Sequence, residues 1–194
     1  MILGLDLDNT IVRYDALFHA LAVEEGLVPV STPAAKTAVR DLLRRTGKEK
    51  EWTRLQGLAY GPRMADAEPF PRALQCLERL QRSGTPVKII SHRTLHPVEG
   101  PSFDLHEAAR SWIEKHGLQW IPLFLETSKK DKLRRIQREG CSHFMDDLPE
   151  FLTMEGFPSS VESVLFDPWN QFQDARVDRR FIDWKEVTAW LKGA

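Results

Sequence analysis

The first ten residues constrain the fold of this chain more than any other segment. An apolar run at residues 1–5 ends abruptly in two carboxylates, Asp6 and Asp8, with one residue between them. A short apolar run of this kind predicts a strand buried on both faces of a parallel sheet. The carboxylates then lie at the C-terminal edge of the sheet, where open α/β sheets bind their ligands. Because two acids this close repel each other unless a cation or a shared proton relieves them, the pair is a candidate for hard-metal binding and nucleophilic chemistry.

Composition and charge indicate a soluble protein without a nucleic-acid or membrane partner. Of the 194 residues, 42% are hydrophobic and 28% are charged, which suits a domain of ordinary size with a sizeable core. The net charge of -1 gives no reason to expect nucleic acid or an anionic membrane as a partner. Asp6 and Asp8 interrupt the apolar start, so we expect no signal peptide, and no run of about 18 apolar residues could span a membrane. We therefore expect a cytoplasmic protein.

Helix and strand patterns alternate along most of the chain. Four strand candidates follow the first one, at residues 87–91, 120–125, 143–145 and 163–166. Helical patterns follow or separate them, at residues 71–83, 105–116, 129–139 and 180–191. This alternation predicts an α/β fold, a doubly wound, Rossmann-like parallel sheet of about five strands with helices on both faces.

Residues 13–68 interrupt the alternation and predict a small helical cap insertion. Helical patterns cover about residues 15–25, 33–47 and 52–60, and no strand candidate lies among them. A connection this long is better explained by an inserted helical unit than by a loop. We therefore expect a core domain of residues 1–12 and 69–194 and an inserted cap of residues 13–68.

Polar side chains follow three of the predicted strands. Asp6 and Asp8 follow the first strand, Ser91 ends the second, and Asp146 and Asp147 follow the fourth. Because parallel strands run in one direction, these side chains should emerge at the same edge of the sheet.

Two lysines, Lys129 and Lys130, lie near that edge, where a helix begins between the third and fourth strands. The predicted edge then offers carboxylates for a divalent cation, a carboxylate nucleophile, a hydroxyl donor and a cationic group. This combination fits phosphoryl transfer, in which positioning and charge stabilisation supply most of the catalysis.

These segments resemble, in order, the four motifs of the haloacid dehalogenase (HAD) superfamily. The matching segments are Asp6-Leu7-Asp8-Asn9-Thr10, Ile89-Ile90-Ser91, Lys129 or Lys130, and Phe144-Met145-Asp146-Asp147. The resemblance covers nearly the whole chain. It implies a HAD-type sheet with the cap between the first and second motifs.

The resemblance also implies catalytic roles. Asp6 would attack a phosphomonoester and form an aspartyl-phosphate, and Asp8 would protonate the leaving oxygen and later activate water. Mg2+ would be held by Asp6, by the backbone carbonyl of Asp8 and by Asp146. Asp147 would lie behind these ligands or reach the ion through water.

Phosphate contacts follow from the same resemblance. Ser91 and a backbone amide near Asn9 would bind phosphoryl oxygens. A lysine would offset the repulsion between Asp6 and the phosphate dianion. Lys129 is preferred because it lies four positions before Leu133, and a one-residue shift of the helix start would exchange it for Lys130; Lys132 is the third choice.

Asp8 favours phosphate-ester hydrolysis over dehalogenation. Dehalogenases of the superfamily lack an acid at this position, because a halide leaves without protonation. We therefore expect a phosphatase that acts on a small phosphorylated substrate. A phosphotransferase or mutase with the same intermediate is one alternative, and a non-catalytic binding or regulatory protein with this fold is another.

His92 and Arg93 directly follow Ser91 and are candidates for substrate contact. An arginine there could pair bidentately with a second anionic group on the substrate. The alternative is that both are loop side chains bonded to the backbone or to solvent.

Overall fold

The computed structural model describes residues 1–193. These residues form eight strands: β1 (Leu3–Leu5), β2 (Val12–Arg13), β3 (Glu68–Pro69), β4 (Val87–His92), β5 (Leu123–Glu126), β6 (His143–Asp146), β7 (Glu162–Phe166) and β8 (Arg179–Phe181). They also form eight α-helices: α1 (Asp15–Glu24), α2 (Lys36–Arg45), α3 (Glu49–Tyr60), α4 (Ala73–Ser83), α5 (Leu105–Lys115), α6 (Lys129–Arg138), α7 (Pro149–Leu152) and α8 (Trp184–Lys192). Among the residues described, no helix is long and apolar enough to cross a membrane.

The chain divides into two compact units. The first contains Met1–Val12, Pro69–His92 and the chain from Trp120 onward, and the second contains Arg13–Glu68 and Arg93–Gln119. The sequence analysis placed residues 93–119 in the core domain, whereas the structure groups them with residues 13–68. The cap role expected for residues 13–68 stays a prediction.

A six-stranded parallel sheet forms the centre of the first unit, in the order β5-β4-β1-β6-β7-β8. The predicted α/β fold with a parallel sheet is confirmed. β1 lies between β4 and β6, and all three of its residues are buried. A short strand in this position needs only apolar residues, which explains the unbroken hydrophobic start of the chain.

The sixth strand corrects the prediction of a helix over residues 180–191. Arg180 and Phe181 pair with Leu165 and Phe166 of β7, so they extend the sheet. The helix begins only at Trp184, because the side chain of Asp183 accepts a hydrogen bond from the backbone amide of Glu186 and caps it.

Gly4 allows β1 to lie close to β6. A Cβ atom at this position would be 2.5 Å from Cδ2 of Phe144 and 2.9 Å from Sγ of Cys141. Glycine therefore lets the Phe144 ring pack directly over the strand that leads to Asp6.

The last helix is tied to the loop that follows β1. Trp184 is almost completely buried, and its indole Nε1 donates a hydrogen bond of 3.0 Å to the backbone carbonyl of Thr10. Because a buried indole N–H needs an acceptor, this bond fixes α8 against the Thr10 turn.

Helices α1, α2, α3 and α5 form the second unit around aromatic side chains. Phe18 packs on Trp52 with ring centroids 4.9 Å apart, and Tyr14 packs edge-on against Tyr60 at the same distance. Trp112 of α5 is fully buried and donates a hydrogen bond of 2.8 Å to the carbonyl of Ala67. This burial explains why α5 belongs to the second unit.

Arg93 lies inside the second unit and is only 4% exposed. Its guanidinium donates to the backbone carbonyls of Tyr60 at 2.9 Å and Leu105 at 3.2 Å, and to the Tyr14 hydroxyl at 3.2 Å. The structure therefore corrects the expectation of a bidentate substrate contact, because these donors are already bonded within the unit.

We expect Arg93→Met to lower the free energy of unfolding by about 2–4 kcal/mol, because it leaves buried carbonyls without donors. Urea denaturation followed by circular dichroism measures this change. Arg82→Met is the matched control, since Arg82 is exposed and should change stability by less than about 0.5 kcal/mol. Equal stabilities of the two variants would contradict the structural role of Arg93.

Candidate active site

The strand register brings three carboxylates together at the edge of the sheet. Leu5 of β1 pairs with Met145 of β6, so the next residue of each strand is an aspartate, Asp6 and Asp146. Each of these and Asp147 offers a carboxylate oxygen, and the three oxygens lie within 4.8 Å of one another. The sequence predicted this convergence from strand direction alone.

Asp8 lies in the turn that follows the first strand. The backbone amides of Ile11 and Val12 both donate to the carbonyl of Leu7 at 3.0 Å, which closes the turn. Asn9 within it has a φ of 55°, a left-handed conformation that asparagine adopts more readily than most residues. Asp8 is half-buried and close enough for its charge to raise the pKa of Asp6.

The lysine that contacts the carboxylates is Lys132. Its Nζ donates to Oδ1 of Asp6 and to Oδ2 of Asp146, at 2.6 Å each, and the residue is 3% exposed. This contact corrects the preference for Lys129 or Lys130, since neither makes an ion pair with these aspartates.

Helix geometry explains the correction. Helix α6 begins at Lys129, after the Ser128 side chain caps it by accepting from the amide of Asp131. Side chains of a helix lean back toward its N-terminus, so a lysine one turn into the helix reaches the sheet edge. Lys132 shares a buried face with Leu133 and Ile136, whereas the spacing to Leu133 used in the sequence analysis pointed to Lys129.

Aromatic rings surround the Lys132 ammonium. Its Nζ lies 4.4 Å from the ring centroid of Phe151 and 5.2 Å from that of Phe144. Cation–π attraction of this kind holds the ammonium between the rings and the carboxylates.

The site carries more negative charge than Lys132 can balance. Burial raises the pKa of Asp6 to about 7; Lys132 opposes this shift, and the charges of Asp146 and Asp8 add to it. Burial alone would lower the pKa of Lys132, but Asp146 and Asp6 outweigh burial and raise it. Lys132 is therefore an ammonium ion, and a further cation would stabilise the carboxylates.

The donor set fits a magnesium ion. Asp6, Asp146 and Asp147 supply hard oxygen ligands, which Mg2+ prefers, and their mutual distances let one ion contact all three. The structure thus brings together three of the predicted metal ligands, and metal binding by them stays a prediction. The backbone carbonyl of Asp8 as a further ligand stays a prediction.

Two buried hydroxyls in this region lack a hydrogen-bond partner among the residues described. Ser91 is 1% exposed and Thr10 is fully buried, and neither side-chain oxygen bonds to any of residues 1–193. Because buried polar atoms are nearly always satisfied, such oxygens point to a ligand that supplies the missing bonds. Thr10 was quoted in the sequence motif but was not among the predicted site residues.

The remaining candidates lie at or near the same edge. His92 is exposed at the end of β4, and its Nε2 lies 3.3 Å from the carbonyl of Thr127. Asn9 is buried between Asp8 and Thr10 in the first turn. Contacts of His92 and Asn9 with substrate stay predictions.

We expect Lys132→Met to destabilise the metal-free protein by about 3–5 kcal/mol at pH 8, because it leaves buried carboxylates unpaired. Without the ammonium, the pKa of Asp6 in the folded state rises further above its unfolded value. Protonation then relieves the folded state at low pH, so the loss of stability should be smaller at pH 5 than at pH 8. Thermal unfolding at both pH values measures the difference.

Lys129→Met serves as the control, because Lys129 makes no ion pair with Asp6 or Asp146. It should change stability by less than about 0.5 kcal/mol at either pH. A loss in this variant as large as that in Lys132→Met would refute the ion-pair assignment.

We expect Mg2+ to raise the melting temperature of the native protein by about 3–6 °C when the ion is present at about ten times its dissociation constant. Asp146→Asn should abolish the rise, because it removes a charged ligand. The exposed Glu155→Gln should retain it. An undiminished rise in Asp146→Asn would show that the ion binds elsewhere.

Comparison with known proteins gives structural relatives at low sequence identity. No family model and no curated protein matches the sequence. A HAD-superfamily hydrolase from Ehrlichia chaffeensis is 13% identical with a TM-score of 0.60, and the match covers 99% of this chain and 96% of that one. A predicted phosphoglycolate phosphatase from Haemophilus somnus 129PT is 14% identical with a TM-score of 0.63, covering 98% and 97%. A HAD phosphatase from Thermococcus onnurineus is 16% identical with a TM-score of 0.54, covering 99% and 98%.

These matches extend over nearly the full length of each chain. The protein therefore has the fold of HAD-superfamily hydrolases, as the four motifs implied. At such identities the likeness establishes the fold, and the chemistry has to be argued from the side chains of the site.

Proposed function

We propose that this protein is a Mg2+-dependent phosphomonoester hydrolase that acts through an aspartyl-phosphate on Asp6. The observation that carries the proposal is the buried Lys132 ammonium, which contacts both Asp6 and Asp146 at 2.6 Å. The Lys132 ammonium lies at the edge of the sheet where β4, the strand that contains Ser91, ends. The HAD-type fold supports the same conclusion.

Asp6, Asp146 and Asp147 would hold the magnesium ion. When bound, the ion would neutralise charge on the phosphoryl oxygens and lower the pKa of Asp6 toward its ionised form. Lys132 acts in the same direction through its direct contact with Asp6. Asp6 can then act as a carboxylate nucleophile although it is buried.

The remaining polar groups would hold the phosphate for attack. The hydroxyls of Ser91 and Thr10 are buried and have no partner among the described residues, so each can donate to a phosphoryl oxygen. Lys132 would attract the dianion as a point charge. Fixing the phosphorus close to the Asp6 oxygen supplies much of the rate enhancement.

Two displacements complete the reaction. In the first, an Asp6 oxygen bonds to phosphorus, the ester P–O bond breaks, and Asp8 gives its proton to the departing alkoxide. In the second, Asp8 takes a proton from water, whose oxygen attacks phosphorus, and the bond to Asp6 breaks. Inorganic phosphate leaves and both aspartates return to their starting state.

A small phosphomonoester is the proposed substrate, in a cytoplasmic protein. An alcohol that replaced water in the second displacement would make the same residues a phosphotransferase or mutase. Product analysis separates these activities, because only the hydrolase releases one inorganic phosphate for each ester cleaved.

The first test is hydrolysis of p-nitrophenyl phosphate with Mg2+ and with EDTA. We expect turnover that requires Mg2+ and that falls at least about 10³-fold in Asp6→Asn, which removes the nucleophile. Glu155→Gln should retain wild-type activity. Equal turnover by the native protein and Asp6→Asn would overturn the assignment of the nucleophile.

A second test uses beryllofluoride, in case the enzyme is too selective to hydrolyse p-nitrophenyl phosphate. It mimics the phosphoryl group on an aspartate, so with Mg2+ it should raise the melting temperature of the native protein but not of Asp6→Asn. If the protein hydrolyses no ester and beryllofluoride does not change its melting temperature, the proposed catalysis is wrong and the protein is a non-catalytic binding protein.

A further inference from the structure

His92 lies at the rim of the candidate site, on the face of β4 that packs against α6. Alternate residues of a strand share a face, and Lys88 and Ile90 precede His92 on this one. Lys88 pairs with Glu139 just beyond the end of α6 at 2.6 Å, and Ile90 packs in the cluster that includes Leu133. His92 is the next residue on this face and lies near the start of α6. Its imidazole is beside the carbonyl of Thr127.

His92 is also one residue beyond Ser91, whose hydroxyl is proposed to bind the phosphate. Successive side chains of a strand point to opposite faces, so the imidazole lies at the same end of β4 as the Ser91 hydroxyl without occupying its place. His92 is only partly covered by the protein, and its pKa responds to the charges of Lys132, Lys129 and Asp146. His92 is therefore placed to meet the part of a substrate that extends from the phosphate.

The hydrogen bond to Thr127 fixes how the imidazole presents its nitrogens. A carbonyl oxygen only accepts, so Nε2, at 3.3 Å, carries the proton. Partial burial lowers the pKa of His92; the Thr127 carbonyl opposes this shift, and the charges of Lys132 and Lys129 add to it. The ring is then mainly neutral at pH 7, and Nδ1 is a bare acceptor.

A neutral donor is the partner that suits this acceptor. No side chain or backbone group among the described residues bonds to Nδ1 of His92. A carboxylate or a second phosphate has no proton to donate, so its negative oxygen would be repelled by the lone pair of Nδ1. An ammonium group could donate, but the positive charges of Lys129 and Lys132 would repel it. A hydroxyl meets neither obstacle.

We propose that His92 selects phosphomonoesters whose leaving group carries a hydroxyl, by accepting a hydrogen bond from that hydroxyl at Nδ1. The proposal rests on the phosphatase function proposed above and narrows its substrates to phosphorylated polyols and sugars. In this proposal His92 is the residue that contacts the leaving group of the substrate. Arg93 was predicted to make that contact, but its guanidinium is bonded inside the second unit.

The kinetic test compares glycerol 1-phosphate with propyl phosphate, which lacks the hydroxyls. The ratio of their kcat/KM values should be about 10 in the native protein, the effect of one hydrogen bond. His92→Phe should reduce the ratio to about 1. His92→Asn places an amide oxygen close to the position of Nδ1 and should retain most of the preference.

His143→Phe is the matched control, since His143 begins β6 at the opposite edge of the sheet, and it should retain the native ratio. A native ratio near 1, or a preference that persists in His92→Phe, would overturn the proposal. So would a native preference for 2-phosphoglycolate that His92→Phe abolishes, because His92 would then bind an anion as an imidazolium ion.

A binding measurement separates this proposal from the proposed catalysis. The imidazole ¹⁵N resonances of His92 are recorded in Asp8→Asn, which slows turnover and keeps the Asp6, Asp146 and Asp147 carboxylates, with Mg2+ while glycerol 1-phosphate, sorbitol 6-phosphate or propyl phosphate is added. We expect the polyol phosphates alone to shift the Nδ1 resonance. A shift without turnover by the native protein would refute the phosphatase and retain the hydroxyl contact; no Nδ1 shift with either polyol phosphate would refute the contact whatever the turnover.

Discussion

The two salt bridges of Lys132 are the interaction on which the rest of the site depends. Burying an unpaired charge costs several kcal/mol, and the strand register forces Asp6 and Asp146 into a dry environment side by side. The Lys132 ammonium, which donates to both carboxylates, offsets part of that cost. The N-cap of α6, its packing through Leu133 and Ile136, and the rings of Phe144 and Phe151 all serve to hold that one nitrogen in place.

The backbone around β1 provides the complementary constraint. β1 has three buried residues and lies between two parallel neighbours. The side chains that follow it, Asp6 and Asp8, therefore lie at the edge of the sheet. Gly4 lets the Phe144 ring pack against this strand, and the same ring faces Lys132. Hydrophobic packing beneath the sheet edge and electrostatic balance at the edge are therefore parts of one arrangement.

Strand-end carboxylates and the Ser91 hydroxyl could be read from the sequence because their positions follow from strand direction alone. Lys132 could not be chosen over Lys129 although the start of α6 at residue 129 was predicted, because the choice depends on the backward lean of helical side chains. Arg93 was misjudged for a different reason: its partners, Tyr14, Tyr60 and Leu105, are distant in the chain and come together only through helix packing. β8 was missed because a three-residue strand beside a helix cap has too little periodicity to register.

The bond between Trp184 and Thr10 joins residues 174 positions apart. Thr10 lies in the turn that follows β1, and the indole that binds its carbonyl lies at the start of α8. Closing a contact of such long range costs more chain entropy than closing a local one, and contacts of this kind slow folding. The turn beside Asp6 and Asp8 therefore depends for this bond on a helix that is remote in the chain, so a change in α8 can reach the candidate site without touching any of its side chains.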